Sequence, residues 1–338
     1  MRLLKRLILS GLLVSALSAV GCIRKSATLP QTLALHNPVS MDELVQRVNS
    51  YQDIRTVAAQ VEIGVTDRYA GYRYNDADGA LRLQRPEKIR LRITAPIVNA
   101  EVVDMTSDGR EFKSALFRPK DKAMFVHGSN SLKSVRADEI KNAEDPRLKE
   151  AGALANIRPQ HIIDAFMIKP IETADNKNEV FREQDIEIEP DTRPNKKGHF
   201  VNRTYYVLYV LERGDGGGVE LRRKFWFDRT QAGTPLVRQQ TFEDGDGRIA
   251  SDIIYSDFFY PADSKWPWAQ TVNIRRPNDG YEMLVRLADK DSIQINPELP
   301  LTTFVLENTE HLKELDLDHP ADSPVNSKNL AGTGQGKK

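Results

Sequence analysis

One thiol, six imidazoles and two glycine-rich turns are the places where this sequence could do chemistry. The 338 residues contain a single cysteine, Cys22. That rules out an intramolecular disulfide, a Cys-x-x-Cys redox pair and a thiolate cluster for a metal. His36, His127, His161, His199, His311 and His319 are scattered. None stands in His-x-x-x-His or His-Glu-x-x-His spacing, so zinc hydrolysis has no foothold. There is no Gly-x-Ser-x-Gly elbow, no Walker A loop and no Gly-x-Gly-x-x-Gly opening a helix. Residues 214–218 are glycine-rich but lie between two alternating runs, which reads as a flexible hairpin and not as a phosphate loop. Residues 243–247 (Glu-Asp-Gly-Asp-Gly) hint at calcium but lack the EF-hand spacing and its closing Glu, so they too read as a turn. The expectation is a non-enzymatic protein with no metal and no cofactor.

Cys22 has its own context. Arg2, Lys5 and Arg6 form a positive start, and residues 7–19 are apolar apart from Ser and Gly. This is the layout of a secretory signal, too short to cross ~30 Å of hydrocarbon as a mature helix. It ends Ala19-Val20-Gly21-Cys22, which resembles the bacterial lipobox, where cleavage precedes an acylated cysteine; Ala19 stands where Leu is commoner. Residues 1–21 are thus expected to be removed and Cys22 to carry the lipid. Cleavage takes three cations from a chain balanced at 48 basic and 48 acidic residues, leaving it slightly negative. Membrane attachment then rests on acyl chains, each buried CH₂ contributing ~0.8 kcal/mol, and not on attraction to anionic lipid. Ile23, where an Asp would favour inner-membrane retention, points to the outer membrane.

The balanced charge and the mean hydropathy of −0.50 argue against a nucleic-acid binder and a polytopic membrane protein. Residues 22–39 lack periodicity and read as a tether. Residues 316–338 are polar and rich in Gly, Ser, Asn and Pro, and read as a disordered tail.

Between them the chain is mainly β. Ser40 and Glu43 form a capping-box pattern opening a helix over 41–51, with Leu44, Val45, Val48 and Tyr51 on one face. The period then falls to 2. Val57, Ala59, Val61, Ile63 and Val65 alternate with mostly polar neighbours, and Ile89, Leu91 and Ile93 alternate with Lys88, Arg90, Arg92 and Thr94. The cationic side of that second run reads as a solvated outer face, with an acidic partner as the alternative. Further alternating runs follow over 98–106, 111–117, 123–127, 203–213, 219–227, 236–242, 248–259, 270–276 and 281–288. They are punctuated by Asp108-Gly109, Asp246-Gly247 and Asp279-Gly280. Some ten antiparallel strands joined by hairpins describe a meander. Residues 137–169 break the pattern with a helix near 158–167, Pro159 close to its start and Ile162, Ile163, Phe166 and Met167 on one face. Such a helix can cover the concave face of a curved sheet. Trp266-Pro267-Trp268 reads either as a membrane-interface pair or as rings packed at a strand entry.

The order of these pieces resembles the LolA/LolB-like periplasmic lipoprotein carriers and receptors. The matching passages are Gly79-Ala80-Leu81-Arg82-Leu83, Arg85-Pro86-Glu87-Lys88-Ile89-Arg90-Leu91 and Ser107-Asp108-Gly109. Later come Tyr255-Ser256-Asp257-Phe258, Pro277-Asn278-Asp279-Gly280 and Ile295-Asn296-Pro297. The resemblance covers residues 41–130 and 155–310, within a domain read as 40–315; the stretches near 130–156 and 170–200 fall outside it as insertions or extended loops. It implies an α+β, mainly β fold: an incomplete antiparallel β-barrel, a curved meander sheet wrapped around a few helices, with an apolar cavity for acyl chains. On that picture Val61, Ile63, Ile89, Leu91, Ile93, Phe225 and Phe227 would line the cavity and Ile162, Ile163 and Phe166 would cover it. Periodicity alone reads the same residues equally as packed core. Two functions follow: binding of a lipid or lipoprotein acyl chain at the outer membrane's periplasmic face, or a structural or sensor lipoprotein that binds an envelope protein partner.

Overall fold

A computed structural model describes residues 29–67, 73–95, 100–117, 120, 123–130, 157–173, 178–214, 218–243, 247–261 and 267–319. The signal segment, Cys22, the first part of the tether, residues 131–156, Trp266 and the tail from 320 lie outside them. In chain order the elements begin β1 (Gln31–Thr32), α1 (Met41–Ser50), β2 (Thr56–Asp67), β3 (Arg73–Gln84), β4 (Lys88–Ala95), β5 (Ala100–Ser107), β6 (Glu111–Leu116), β7 (Met124–Ser129) and α2 (Pro159–Phe166). They continue β8 (Asn178–Pro190), β9 (Phe200–Arg213), β10 (Val219–Asp228), β11 (Leu236–Phe242), β12 (Ile249–Phe259), β13 (Trp268–Arg276), β14 (Tyr281–Leu287), β15 (Ile293–Ile295) and β16 (Lys313–Asp316). No helix among the described residues is long and apolar enough to cross a membrane.

The chain divides into two compact units, Met1–Leu33 with Glu187–Arg203 and Ala34–Ile186 with Thr204–Lys338. In the smaller one, β1 runs parallel to Val201 and Asn202, and Asn202 Nδ2 donates to Thr32 Oγ1 at 3.2 Å. Its turn is closed by Arg193, which binds both oxygens of Asp191 at 2.9 and 2.7 Å. Those hydrogen bonds hold the Asp191 carboxyl down at about 2.

The larger unit is an open, curved, mainly antiparallel sheet. Two meanders, β2 to β7 and β9 to β14, meet where β14 pairs with β2, with Val285 opposite Ile63 and Leu287 opposite Val61. The turns at Asp108-Gly109 and Asp279-Gly280 form: Gly109 takes φ +101° and Gly280 φ +76°, and Asp108 Oδ1 accepts from the amides of Arg110 and Glu111. Residues 215–217 and 244–246 of the other two expected turns lie outside the described residues. Gly79 is forced by space: a Cβ there would stand 3.0 Å from the Ile63 side chain and 3.1 Å from the Arg92 carbonyl.

The core lies on the face that alternation predicts. Val57, Ala59, Val61, Ile63 and Val65 of β2 join Ile89 and Leu91 of β4, Leu44 and Val48 of α1 and Ile162, Ile163 and Phe166 of α2 in one cluster. Burying each such large side chain contributes ~1.5–3 kcal/mol. The α1 capping box forms as read: the Glu43 amide donates to Ser40 Oγ at 3.2 Å, and Glu43 Oε2 accepts from the Ser40 amide at 2.7 Å.

Two features add to the expected sheet, and one expectation needs correction. Within 170–200, residues 178–190 form β8, a strand paired with β9. Its side chains are largely exposed, so no buried face imposes alternation. At the end of the expected domain, Lys313–Asp316 forms β16, which pairs parallel with β7 and buries Leu315. This parallel pair is added to the edge of an otherwise antiparallel meander. Finally, the Lys88–Arg90–Arg92 face is not simply solvated: Arg90 is half-buried and grips Asp104 through Nε at 3.0 Å and Nη2 at 2.5 Å.

Candidate functional site

The helices bring the candidate site together. α2 begins with Pro159, whose missing amide hydrogen costs nothing in the first turn. Its carbonyl ends are orphaned in the last turn, as at any helix terminus. Side chains from distant strands satisfy them. Tyr255 Oη donates to the Ala165 carbonyl at 2.7 Å, and Gln239 Nε2 to that of Asp164 at 2.9 Å. Arg85 reaches both helices at once: Nε and Nη2 donate to Ile54 and Tyr51 carbonyls behind α1, at 2.8 and 2.9 Å, and Nη1 and Nη2 to Met167 and Ile168 carbonyls behind α2, at 3.3 and 3.1 Å. Asn49 then exchanges two hydrogen bonds with Ile171, and Arg223 donates to the Lys169 and Pro170 carbonyls at 2.7 and 2.6 Å.

Between α2 and strands β11 to β13 runs an apolar cleft. One wall is Ala165, Phe166 and Ile168, the other Leu236, Tyr255, Phe258, Trp268, Ala269 and Val272, and Tyr51 and Pro267 also line it. Phe166 stacks on Trp268, ring centroids 6.3 Å apart and planes 23° from parallel. Trp268 packs at the entry of β13, so of the two readings of this tryptophan the interior one holds. Its indole nitrogen has no hydrogen-bond partner among the described residues. Burial pushes the Tyr51 hydroxyl up to about 12, against a smaller opposing pull from Arg47, and raises Tyr255 as well. Both stay neutral. The free space is about 20 Å³, room for about one water.

Of the residues singled out from the sequence, Phe166 lines this cleft. Val61, Ile63, Ile89, Leu91, Phe225 and Phe227 are all at most 2% exposed and pack as core, and Ile93 packs partly buried against them. Ile162 and Ile163 turn into the same core. Sequence reading missed Tyr51, Leu236, Tyr255, Phe258 and Val272 as cleft residues. Leu236 opens an alternating run and Tyr51 closes the first helix, but Tyr255 and Val272 lie inside their strands, where alternation marks them only as inward-facing.

A polar cluster caps the start of α2. His161 Nδ1 and Tyr281 Oη lie 2.5 Å apart, and His161 Nε2 lies 3.9 Å from Asp279 Oδ2. Arg276 Nε binds that same oxygen at 2.6 Å. Arg158 is 5% exposed, stands 4.8 Å over the Phe112 ring, and has no hydrogen-bond partner for its guanidinium among the described residues. Burial, then the cations Arg276 and Arg158, hold His161 well below the ordinary imidazole value, so it is the neutral ring that sits here.

No family model and no curated protein matches the chain. Solved structures are similar to it at low identity. A DUF1329 family protein from Desulfovibrio piger aligns at 11% identity and TM-score 0.42, covering 78% of this chain and 94% of its own. A LolA superfamily protein from Nitrosomonas europaea aligns at 13% and 0.39, covering 78% and 97%. A putative outer membrane lipoprotein-sorting protein domain from Vibrio parahaemolyticus aligns at 11% and 0.39, covering 78% and 94%.

Proposed function

We propose that this protein is a lipid-anchored component of the bacterial cell envelope that shelters a hydrocarbon chain, from a lipid or an acylated protein, in the seam between α2 and β11 to β13. Cys22 would hold it to the periplasmic face of the outer membrane. The observation that carries the reading is the composition of the seam: apart from two neutral tyrosines its walls are hydrocarbon and aromatic rings. Hydrocarbon entering there is driven by burial, ~0.8 kcal/mol for each CH₂. The seam must widen for this, and the movable wall is α2, eight residues long and held to the sheet by the discrete side-chain bonds described above. No covalent step is involved; the chain passes onward by differences in burial.

The second reading, a structural or sensor lipoprotein that binds an envelope protein, is favoured by the tightness of the same seam, closed to about 20 Å³. One experiment separates the two. The chain carrying Cys22→Ala is incubated with a fluorescent fatty acid, and saturable uptake, quenched by a brominated fatty acid, supports the acyl-chain reading. Absence of saturable uptake, together with purified protein free of lipid, supports partner binding. The anchor is tested apart from both: metabolic labelling with radioactive palmitate should mark the natural chain and not the Cys22→Ala chain.

A further inference from the structure

The face of the sheet turned away from the core carries a second, larger hollow. Across β4, β5, β6 and β7 the register aligns Arg92, Asp104, Ala115 and Phe125 in one row. The 3₁₀ turn Leu301–Phe304 and the residues after it, through Leu312, pass over this row, and Arg90 Nη1 fixes the strap by donating to the Thr303 and Val305 carbonyls, both at 3.2 Å. Asn308 staples its far end, exchanging two hydrogen bonds with Leu312 at 2.9 and 2.8 Å. Between strap and sheet lies a space of about 410 Å³, the size of a small-ligand pocket.

Its chemistry is two-sided. Ala115, Phe125 and Leu306 are buried, with Phe117 and Leu312 packed against them, and form an apolar floor. The charged groups at the rim are unequal. Asp104 takes up Arg90 in two hydrogen bonds and Arg92 at 3.2 Å, while Arg92 also stands 3.5 Å from Glu101. The two arginines are spent on those two acids. Glu307 and Glu310 remain at the rim with no ion pair among the described residues. The surplus is felt inside: Glu101 is raised by burial first and then by Asp104, with Arg92 and Arg90 opposing and Glu310 adding to the repulsion. A neutral lipid would leave this negative field unanswered, and an anion would be repelled.

We propose that the hollow beneath the 301–312 strap is a binding site, separate from the acyl-chain seam, for a small organic cation with an apolar body. Its ring or chain would lie against Phe117 and Phe125, where an ammonium also gains from the aromatic faces, and its charge would meet Glu307 and Glu310.

The test is calorimetric titration of the Cys22→Ala chain with phenethylammonium, with the neutral phenethyl alcohol and the anionic hydrocinnamate as comparators. Saturable binding of the cation, about tenfold tighter than the alcohol and absent for hydrocinnamate, is expected. The double variant Glu307→Gln/Glu310→Gln, two exposed strap positions, should melt as the parent does and bind the cation about tenfold more weakly. Uptake of the fluorescent fatty acid should be the same with and without phenethylammonium. No saturable binding of the cation, equal binding of the alcohol, or an unaltered affinity in the double variant would each overturn the proposal. If the variant fails to fold, the comparison of cation with alcohol on the parent chain decides alone.

Discussion

Tyr255, on β12, donates its hydroxyl hydrogen to the carbonyl of Ala165, in the last turn of α2, across 2.7 Å. One bond thereby does two things. It satisfies a helix-end carbonyl that has no partner within α2, and it holds the helix against the strand that forms the opposite wall of the apolar seam.

Tyr255→Phe keeps the ring and removes the bond. With the Ala165 carbonyl left buried and unpaired, stability should fall by ~1–3 kcal/mol, read from the shift in urea midpoint. Amides of α2 should exchange faster with solvent than those of β4 in the same variant. Uniform acceleration of both would show that α2 is not the element Tyr255 holds.

Phe166→Ala separates packing from ligand binding. Deleting a buried phenyl side chain costs ~3–5 kcal/mol. The same deletion opens the seam beside Trp268, so fatty-acid uptake should strengthen while the melting temperature drops. Stability and uptake falling together would place the ligand elsewhere.

Arg85→Lys tests whether geometry or charge joins the two helices. Arg85 spreads four hydrogen bonds over carbonyls behind α1 and α2. A lysine keeps the charge but lacks the planar fork. The expectation is a loss of ~1–3 kcal/mol, with proteolytic cleavage newly appearing in the 167–171 loop. Full stability in the lysine variant would reduce the role of Arg85 to charge.

The pH dependence follows from His161. Its folded value is lowered by burial and by Arg276 and Arg158, with Asp279 and Tyr281 the other titratable groups facing it. On acidification the unfolded chain therefore takes up a proton near the ordinary imidazole value of about 6.5 while the folded chain does not. Stability should be full above that value and decline as pH falls from about 7 to about 5. His161→Gln should flatten that part of the profile. Asp191 acts in a lower window: its folded value of about 2 lies below the ordinary 3.8, so its contribution is present above 3.8 and is lost between the two. An unchanged slope in the His161 variant would assign the acid sensitivity to other groups.

Much of the fold was legible in the chain itself because its signals are local. Ser40 and Glu43 are three residues apart, and their mutual capping needs no other part of the molecule. The alternation of Ile89 and Leu91 with Arg90 and Arg92 records which side of β4 meets the core, whatever packs there. The turn at Asp108-Gly109 follows from one glycine's positive φ and one aspartate's hydrogen bonds.

Other features had no local trace. β8 has neither face buried, so its strand state depends on pairing with β9. Leu315 joins the core because β7 offers a free edge nearly two hundred positions earlier. Alternation marked Val61 and Phe225 as inward-facing, yet only packing shows that they are filled core and that the seam opens at Phe166, Tyr255 and Trp268. By itself, then, the sequence determined where most of the strands and both helices lie, which side of most of them avoids water, and that a lone cysteine follows a signal-like segment. The pairing of β14 with β2, the seam and the strap over Arg90 and Asp104 were decided by tertiary structure. Each joins residues far apart in the chain, and period and spacing describe the environment of a segment without naming its neighbour.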